Sequence, residues 1–194
     1  VGVEDRVLKD FLVGYISGAG QANPDIQVAT SAIGDFVDTA KSKEIALAQY
    51  RSGCDIIFAI AGPASYGIIE AGTEADQTVI GVDVDMTLSV NEEQAQHIIT
   101  SAIKDWGYLT YHMMDRFAND RDAIGWSTVE VYGISNGGAT FIQNDIYKQS
   151  VPQDIQDEMN QLVEDVKSGK ITIPSVFDMS EEEYAAMKEK VKLQ

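Results

Sequence analysis

The stretch Cys54 to Ala61 is a nearly continuous apolar run closed off by Gly53 and Gly62. It is far too short for a membrane span, which needs about 20 apolar residues. A short run apolar on both faces is the pattern of a strand in a parallel sheet with helices on each side. The surrounding periodicities agree. After Val1–Val3, the segment Asp5 to Gly20 places Val7, Leu8, Phe11, Leu12, Tyr15 and Ile16 at helical spacing, with Asp5 as N-cap and Gly18 and Gly20 as the stop. Ile26 to Ile33 reads as a strand, Asp38 to Ser52 as an amphipathic helix, Ser65 to Ala75 as a short helix and Thr78 to Val82 as a strand. Successive βα units predict an α/β fold, a parallel sheet flanked by helices.

The second half is less regular. Ser101 to Ala118 reads as a helix with Ile103, Trp106, Thr110, Met113 and Phe117 on one stripe and Tyr108, Leu109, Tyr111 and Met114 outside it. A helix apolar nearly all round is expected to have neighbours on both sides. Thr128 to Ile134 reads as a strand, Gly137-Gly138 as a tight turn before Ala139 to Ile142, and Pro152 to Ser168 as a helix ended by Gly169. Ile171 to Ile173 reads as a short strand. Ser180 to Lys190 reads as a polar helix with Ser180 and Glu183 in a capping box.

Charge and rare residues narrow the chemistry. The 14 Lys and Arg stand against 31 Asp and Glu, a net charge of −17, so phosphate-bearing partners such as nucleic acid or an anionic membrane are repelled. One Cys excludes an internal disulfide, and two His with one Cys exclude a Cys/His zinc site. His97 and His112 are far apart, no Gly-x-Ser-x-Gly occurs, and Cys54 opens a buried strand. No catalytic residue, metal or cofactor is expected.

In a parallel α/β sheet, ligands bind outside the carboxyl ends of the strands. Three such ends are informative: Ile33-Gly34-Asp35-Phe36, Ala61-Gly62-Pro63-Ala64-Ser65-Tyr66-Gly67 and Gly81-Val82-Asp83-Val84-Asp85. Asp83 has two readings, a carboxylate that accepts hydroxyls of a sugar diol or an Asx-turn that closes the loop. Asp85 reads as a loop cap. Between Ser52 and Ile103 there is no Lys or Arg against eight acids, and Lys104 ends that run. It reads either as a pocket ammonium at the start of the apolar helix or as a solvated surface charge. The small residues around Gly62 allow close approach of a ligand to the backbone, but they lack a phosphate-loop pattern. Phe36, Phe58 and Tyr66 are either stacking residues for a planar ligand or core.

These motifs also carry a resemblance. Gly34-Asp35-Phe36, then Asp38-Thr39-Ala40-Lys41 and Lys43-Glu44, resembles the Gly-Asp-Phe-x-Asp-Pro-Ala-Lys-Gly-Lys-Glu pattern of the BMP (basic membrane protein) family. Gly53-Cys54-Asp55-Ile56-Ile57-Phe58, Gly81-Val82-Asp83-Val84-Asp85, Ile99-Thr100-Ser101-Ala102-Ile103-Lys104, Tyr132-Gly133, Asn136-Gly137-Gly138 and Ser168-Gly169-Lys170-Ile171 extend the match along the chain. Thr39 stands where the family has Pro, and Met86 where Gln is usual.

The resemblance implies a type I periplasmic-binding-protein fold, two lobes closing on a nucleoside, in a substrate-binding lipoprotein of an ABC importer. It implies that the chain starts at the first strand of the second lobe. Residues 1–100 would then be the ligand-binding lobe, 101–125 a hinge-crossing helix, and 126–194 the return strands and closing helices. Asp83 would bind ribose hydroxyls and Lys104 would line the pocket near the hinge. The implied partners are a nucleoside-like small molecule and an ABC permease, and the implied location is extracytoplasmic and lipid-anchored in the full-length parent, with this chain alone soluble. A regulatory or surface interaction protein on the same fold is the alternative. With the first lobe absent, the helix bearing Trp106, Met113 and Phe117 is expected to form a homodimer, swap elements or leave an exposed apolar face.

Overall fold

The computed structural model describes residues 1–193, for Ala123 the backbone alone. One sheet runs in the order β1 (Ile56–Phe58), β2 (Thr78–Asp83), β3 (Ile98–Lys104) and β4 (Ala139–Phe141). The first three strands are parallel and β4 is antiparallel to β3. Main-chain hydrogen bonds carry the parallel arrangement past β1. Gly2 N donates to Ile60 O at 2.8 Å, Ile33 N to Val1 O at 3.0 Å and Gly34 N to Gly2 O at 2.8 Å.

The helices are α1 (Arg6–Ala22), α2 (Thr39–Arg51), α3 (Ser65–Ala75), the single turn α4 (Glu92–Ala95), α5 (Trp106–Asn119), α6 (Asp145–Ser150), α7 (Gln153–Lys167) and α8 (Glu181–Lys190). Their starts are written locally. Asp5 Oδ1 accepts from Leu8 N at 2.7 Å, Asp38 Oδ1 from Lys41 N at 2.9 Å and Asp105 Oδ1 from Tyr108 N at 2.8 Å, each satisfying an N–H that the helix leaves free. Ser180 and Glu183 form the reciprocal capping box of α8.

Both faces of the parallel sheet are covered. Ile57, Ala59, Val79 and Ile98 pack with Ala46 and Tyr50 of α2 and Ile68, Ile69 and Ala71 of α3. On the other face Ile60, Val82 and Phe58 meet Leu8, Phe11 and Leu12 of α1. Helices α2 and α3 approach so closely that a Cβ on Gly67 would collide with the Thr39 carbonyl and the Ser42 hydroxyl. The buried Ser42 hydroxyl joins the two helices by donating to Ala64 O at 2.7 Å. Tyr50, also buried, donates its hydroxyl to Thr78 O at 3.0 Å, and burial pushes that phenol well above its usual range.

The chain's far end is laid onto α1. Asp10 Oδ1 accepts from Ser175 Oγ at 2.8 Å and from Val176 N at 2.7 Å, and Lys9 pairs with Glu181 at 3.0 Å. Val13 of α1, Val176 and Tyr184 of α8 form a small buried cluster.

Several expected elements differ. Helix α1 runs through Gly18 and Gly20 and ends only before Pro24, which cannot continue a helix. Of the strand expected over 26–33, only 31–34 finds an edge, beside residues 1–2; Val28 keeps a single bridge to Lys192. The peeled segment roofs a cavity of about 460 Å³ over α1, α2 and β1. The helix expected from Ser101 begins at Trp106, because Ser101–Lys104 pairs with both β2 and β4. The expected hinge-crossing segment 101–125 therefore starts with strand. Residues 128–134 and 171–173 form no strand among the described residues, since β4 already takes the edge of β3. Gln194, the end of the third expected segment, lies outside the described residues.

Segment 128–134 instead folds back on α5. Arg116 donates to Glu130 Oε2 at 2.7 Å and Tyr132 donates its hydroxyl to the same oxygen at 2.6 Å. The Arg116 guanidinium first, then the Tyr132 hydroxyl, holds the Glu130 carboxyl down at about 2.

Two outcomes follow from this packing. Gly67→Ala is expected to lower the unfolding free energy by about 2 kcal/mol, because backbone rather than a flexible side chain must yield; urea denaturation measures it. A folded-state carboxyl held below its unfolded value stabilises the clasp above the unfolded value, and that contribution is lost as pH falls through about 2. Arg116→Met is expected to return the Glu130 titration toward 4.5, read by NMR of the carboxyl carbon.

Candidate functional site

The register between β2 and β3 sets Asp83 opposite Ile103. Lys104, the next residue along β3, therefore lies diagonally across from Asp83 at the carboxyl edge of the sheet. Close pairing is possible because Gly81 has no side chain: a Cβ there would collide with the Ser101 hydroxyl. Lys104 Nζ is 3.1 Å from Asp83 Oδ1, and both side chains are partly open to solvent.

Asp83 is held unusually. Its φ is +67°, a left-handed backbone that a non-glycine residue adopts at a cost. Its Oδ1 is buried and lacks a hydrogen bond among the described residues. The Lys104 ammonium lies within ion-pair distance of that oxygen, while the rest of the half-exposed carboxylate faces solvent. The loop-closing reading of Asp83 is not what the geometry shows. That task falls to Asp85, whose Oδ1 accepts from Thr87 N at 3.1 Å and Thr87 Oγ1 at 2.6 Å. Asn144 of the turn before α6 reaches the same loop, donating to Thr87 Oγ1 at 3.2 Å.

Lys104 is placed by aromatic faces. Its Nζ stands 4.6 Å from the ring centroid of Phe11 on α1 and 5.9 Å from that of Trp106, the first residue of α5. Lys104 thus ends a strand rather than starting a helix. In the sequence Phe11 and Trp106 carry no mark beyond apolar periodicity, except that Trp106 lies two residues past the cation.

The other candidate residues fall into two groups. Phe36 covers the Gly62 turn: Gly62 has φ +53°, a Cβ there would lie 3.6 Å from Phe36, and Ala64 N donates to Phe36 O at 2.8 Å. Phe36 and Tyr66, in the first turn of α3, both expose their rings at this edge. Asp35, just before Phe36, accepts from Val37 N and Asp38 N at 2.8 Å each, and these N–H groups pull its carboxyl below the usual range. Phe58 belongs elsewhere, edge-on to Phe11 at 6.2 Å and tilted against Tyr15 at 5.6 Å under α1. It supports Phe11, which in turn faces Lys104. Among the described residues, no group of three or more His, Cys, Asp or Glu is placed to hold a metal ion. No helix among them is long and apolar enough to cross a membrane.

The carboxyl edge therefore carries a carboxylate paired with an ammonium and, after neighbouring strands, the exposed side chains of Phe36 and Tyr66.

Comparisons with known proteins identify relatives of the chain. The sequence model of the Bmp family, described as ABC transporter substrate-binding protein PnrA-like, matches residues 1–174. The ABC transporter nucleoside-binding protein BmpA of Lactococcus lactis is 30% identical over 90% of this chain and 51% of its own length. Basic membrane protein D of Borreliella burgdorferi is 32% identical over 89% of this chain and 50% of its own length. The chain thus spans about half the length of the curated relatives it matches. An ABC transporter solute-binding protein from Aeropyrum pernix superposes over the whole chain and 62% of its own, with a TM-score of 0.74 at 18% identity, a likeness of fold.

The strained Asp83 backbone has a measurable signature. Asp83→Gly is expected to raise the unfolding free energy by about 1 kcal/mol, since relief of the left-handed conformation outweighs loss of a half-exposed ion pair. An unchanged or lowered stability in chemical denaturation would show that no strain is stored there.

Proposed function

This chain belongs to the Bmp family of PnrA-like ABC transporter substrate-binding proteins, and we propose that it supplies the diol-binding edge of an extracytoplasmic nucleoside receptor. The observation that carries this reading is the half-exposed Asp83 carboxylate at the sheet's carboxyl edge, ion-paired with Lys104 at 3.1 Å. A carboxylate accepts hydrogen bonds from two adjacent hydroxyls, so it suits a ribose. Lys104 then turns its ammonium from Asp83 toward a sugar oxygen, steadied by the Phe11 ring. Phe36 and Tyr66 offer faces on which a purine stacks.

Nothing in this chemistry breaks a bond. The ligand is held and released, and the reading assigns the chain to transport rather than catalysis. In the whole receptor, a second lobe closes over the ligand, and a membrane permease reads the closed form. A lipid anchor on the parent would keep it at the cell surface. The name of the Lactococcus relative, a nucleoside-binding protein, supports the ligand class. A site open on one side buries less of its ligand than an enclosed pocket, so binding by these residues alone is expected to be micromolar or weaker.

Titration calorimetry with inosine, guanosine and adenosine against their 2′,3′-dideoxy counterparts tests the reading. Ribonucleosides are expected to bind, the dideoxy compounds to bind at least about 10-fold more weakly, and Asp83→Ala to remove that difference, since hydrogen bonds to a charged acceptor are worth about 1.5–3 kcal/mol. Equal affinity for both sugar types, or a difference that survives Asp83→Ala, would overturn the assignment of the diol to Asp83. Submicromolar binding would overturn the half-site.

A further inference from the structure

Asp83 sits at the centre of a γ-turn. Val84 N donates back across it to Val82 O at 2.8 Å, while Asp83 takes φ +67°. The positive-φ form of this turn is the rare and strained one. Such a backbone persists only where its surroundings fix the residues on either side of it. Upstream the sheet does so, because Asp83 is still paired with Ile103 of β3. Downstream there is no strand to help: the chain leaves the sheet at Val84, which is exposed.

The downstream anchor comes from a distant part of the chain. Strand β4 continues its pairing with β3 one residue further, Ile142 N donating to Ser101 O at 3.0 Å and Thr100 Oγ1 to Ile142 O at 2.7 Å. Two residues on, Asn144 caps α6, its Oδ1 accepting from Tyr147 N at 3.1 Å. That bond decides which end of the amide is left to face the Asp83 loop. Asn144 Nδ2 donates there to Thr87 Oγ1 at 3.2 Å and reaches Asp85 Oδ2 at 3.5 Å. Thr87 Oγ1 in turn donates to Asp85 Oδ1 at 2.6 Å, so three side chains close a ring in which each bond polarises the next.

Asp85 and Thr87 alone make a local turn, free to swing as a unit. Buried Ser101 holds its floor, accepting from Met86 N at 3.3 Å. Asn144 holds its outer side chains, from 57 and 59 positions along the chain.

We propose that Asn144 is a positioning residue for ligand binding: through Thr87 and Asp85 it fixes the strained turn that presents the Asp83 carboxylate. This rests on the reading of Asp83 as the acceptor of ribose hydroxyls. A turn fixed in advance does not have to be ordered when the ligand arrives, and that saving is realised only by a ligand that engages Asp83.

Asn144→Asp separates the residue's two tasks. Asp caps a helix as well as Asn does, so α6 is kept. The donor to Thr87 is lost, and a second carboxylate is set beside Asp85. Ribonucleoside binding by calorimetry is expected to weaken about 10-fold, with the affinity of the 2′,3′-dideoxy compounds unchanged. In amide hydrogen exchange, Val84 and Thr87 are expected to exchange at least about 10-fold faster while Ile80, within β2, keeps its rate. The exchanged pair, Asp85→Asn with Asn144→Asp, puts the donor on the other side of the same contact and is expected to recover both the binding preference and the protection. Unchanged exchange at Val84 and Thr87 in Asn144→Asp overturns the proposal. So does an equal loss of binding for both sugar types with faster exchange at Ile80, or a paired exchange that recovers nothing. A wild-type chain without preference for ribonucleosides overturns the assignment of the diol to Asp83 instead, and the exchange rates then decide by themselves whether Asn144 holds the turn.

Discussion

The parallel pairing of β2 with β3 is the constraint on which the site depends. Its register puts the last residue of one strand and the last of the next at the same edge, and the site's carboxylate and ammonium meet there. Gly81 lets Ser101 fit between the strands; with a side chain at 81, the pairing that aligns them would be forced apart. Main-chain geometry thus decides electrostatics. Asp83 is turned into the left-handed region just as β2 ends, and its Oδ1 is left facing the Lys104 ammonium. The turn that follows is closed instead by Asp85, two residues later.

Helices were legible in this sequence where their signals are local. Asp5, Asp38 and Ser180 each cap a helix where the side chain's reach to the third N–H predicts it, and Ser65–Ala75 forms as read. Strands were legible only where an edge was waiting. Val129 and Val131 have the β-branched character of a strand, yet they stay exposed because β4 occupies the place beside β3. Pairing of that kind is non-local, and composition does not report it. Ser101–Lys104 resembles helix in the sequence because an apolar strand runs into an apolar helix with no Gly or Pro between them. The boundary is marked only by Asp105, whose side chain caps α5.

The candidate site divides along the same line. Asp83, Lys104, Gly62, Phe36 and Tyr66 stand near strand ends, where topology alone directs attention. Phe58 was read with them from its residue type, but alternation along β1 turns it to the opposite sheet face from Ile57 and Ala59, beneath α1. Phe11 and Trp106 reach Lys104 from two different helices, and no periodicity within either helix reveals a cation beside it. Tertiary placement gives those rings their second task.

The carboxyl-terminal segment lies against α1 through hydrogen bonds that join residues 165 and 166 positions apart, and through an ion pair 172 positions apart. Asp10 is made 165 residues before Ser175, and its acceptor oxygen waits for Ser175 and Val176. Contacts of such separation slow folding, because the entropy of closing the loop is lost before the contact repays it. During translation, the face of α1 that will hold Val176 and Tyr184 is open to other chains. The residues from Ser175 on therefore act as a clasp in time as well as in space: until they arrive, α1 is held on the sheet only by its packing against Phe58, Ile60 and Val82.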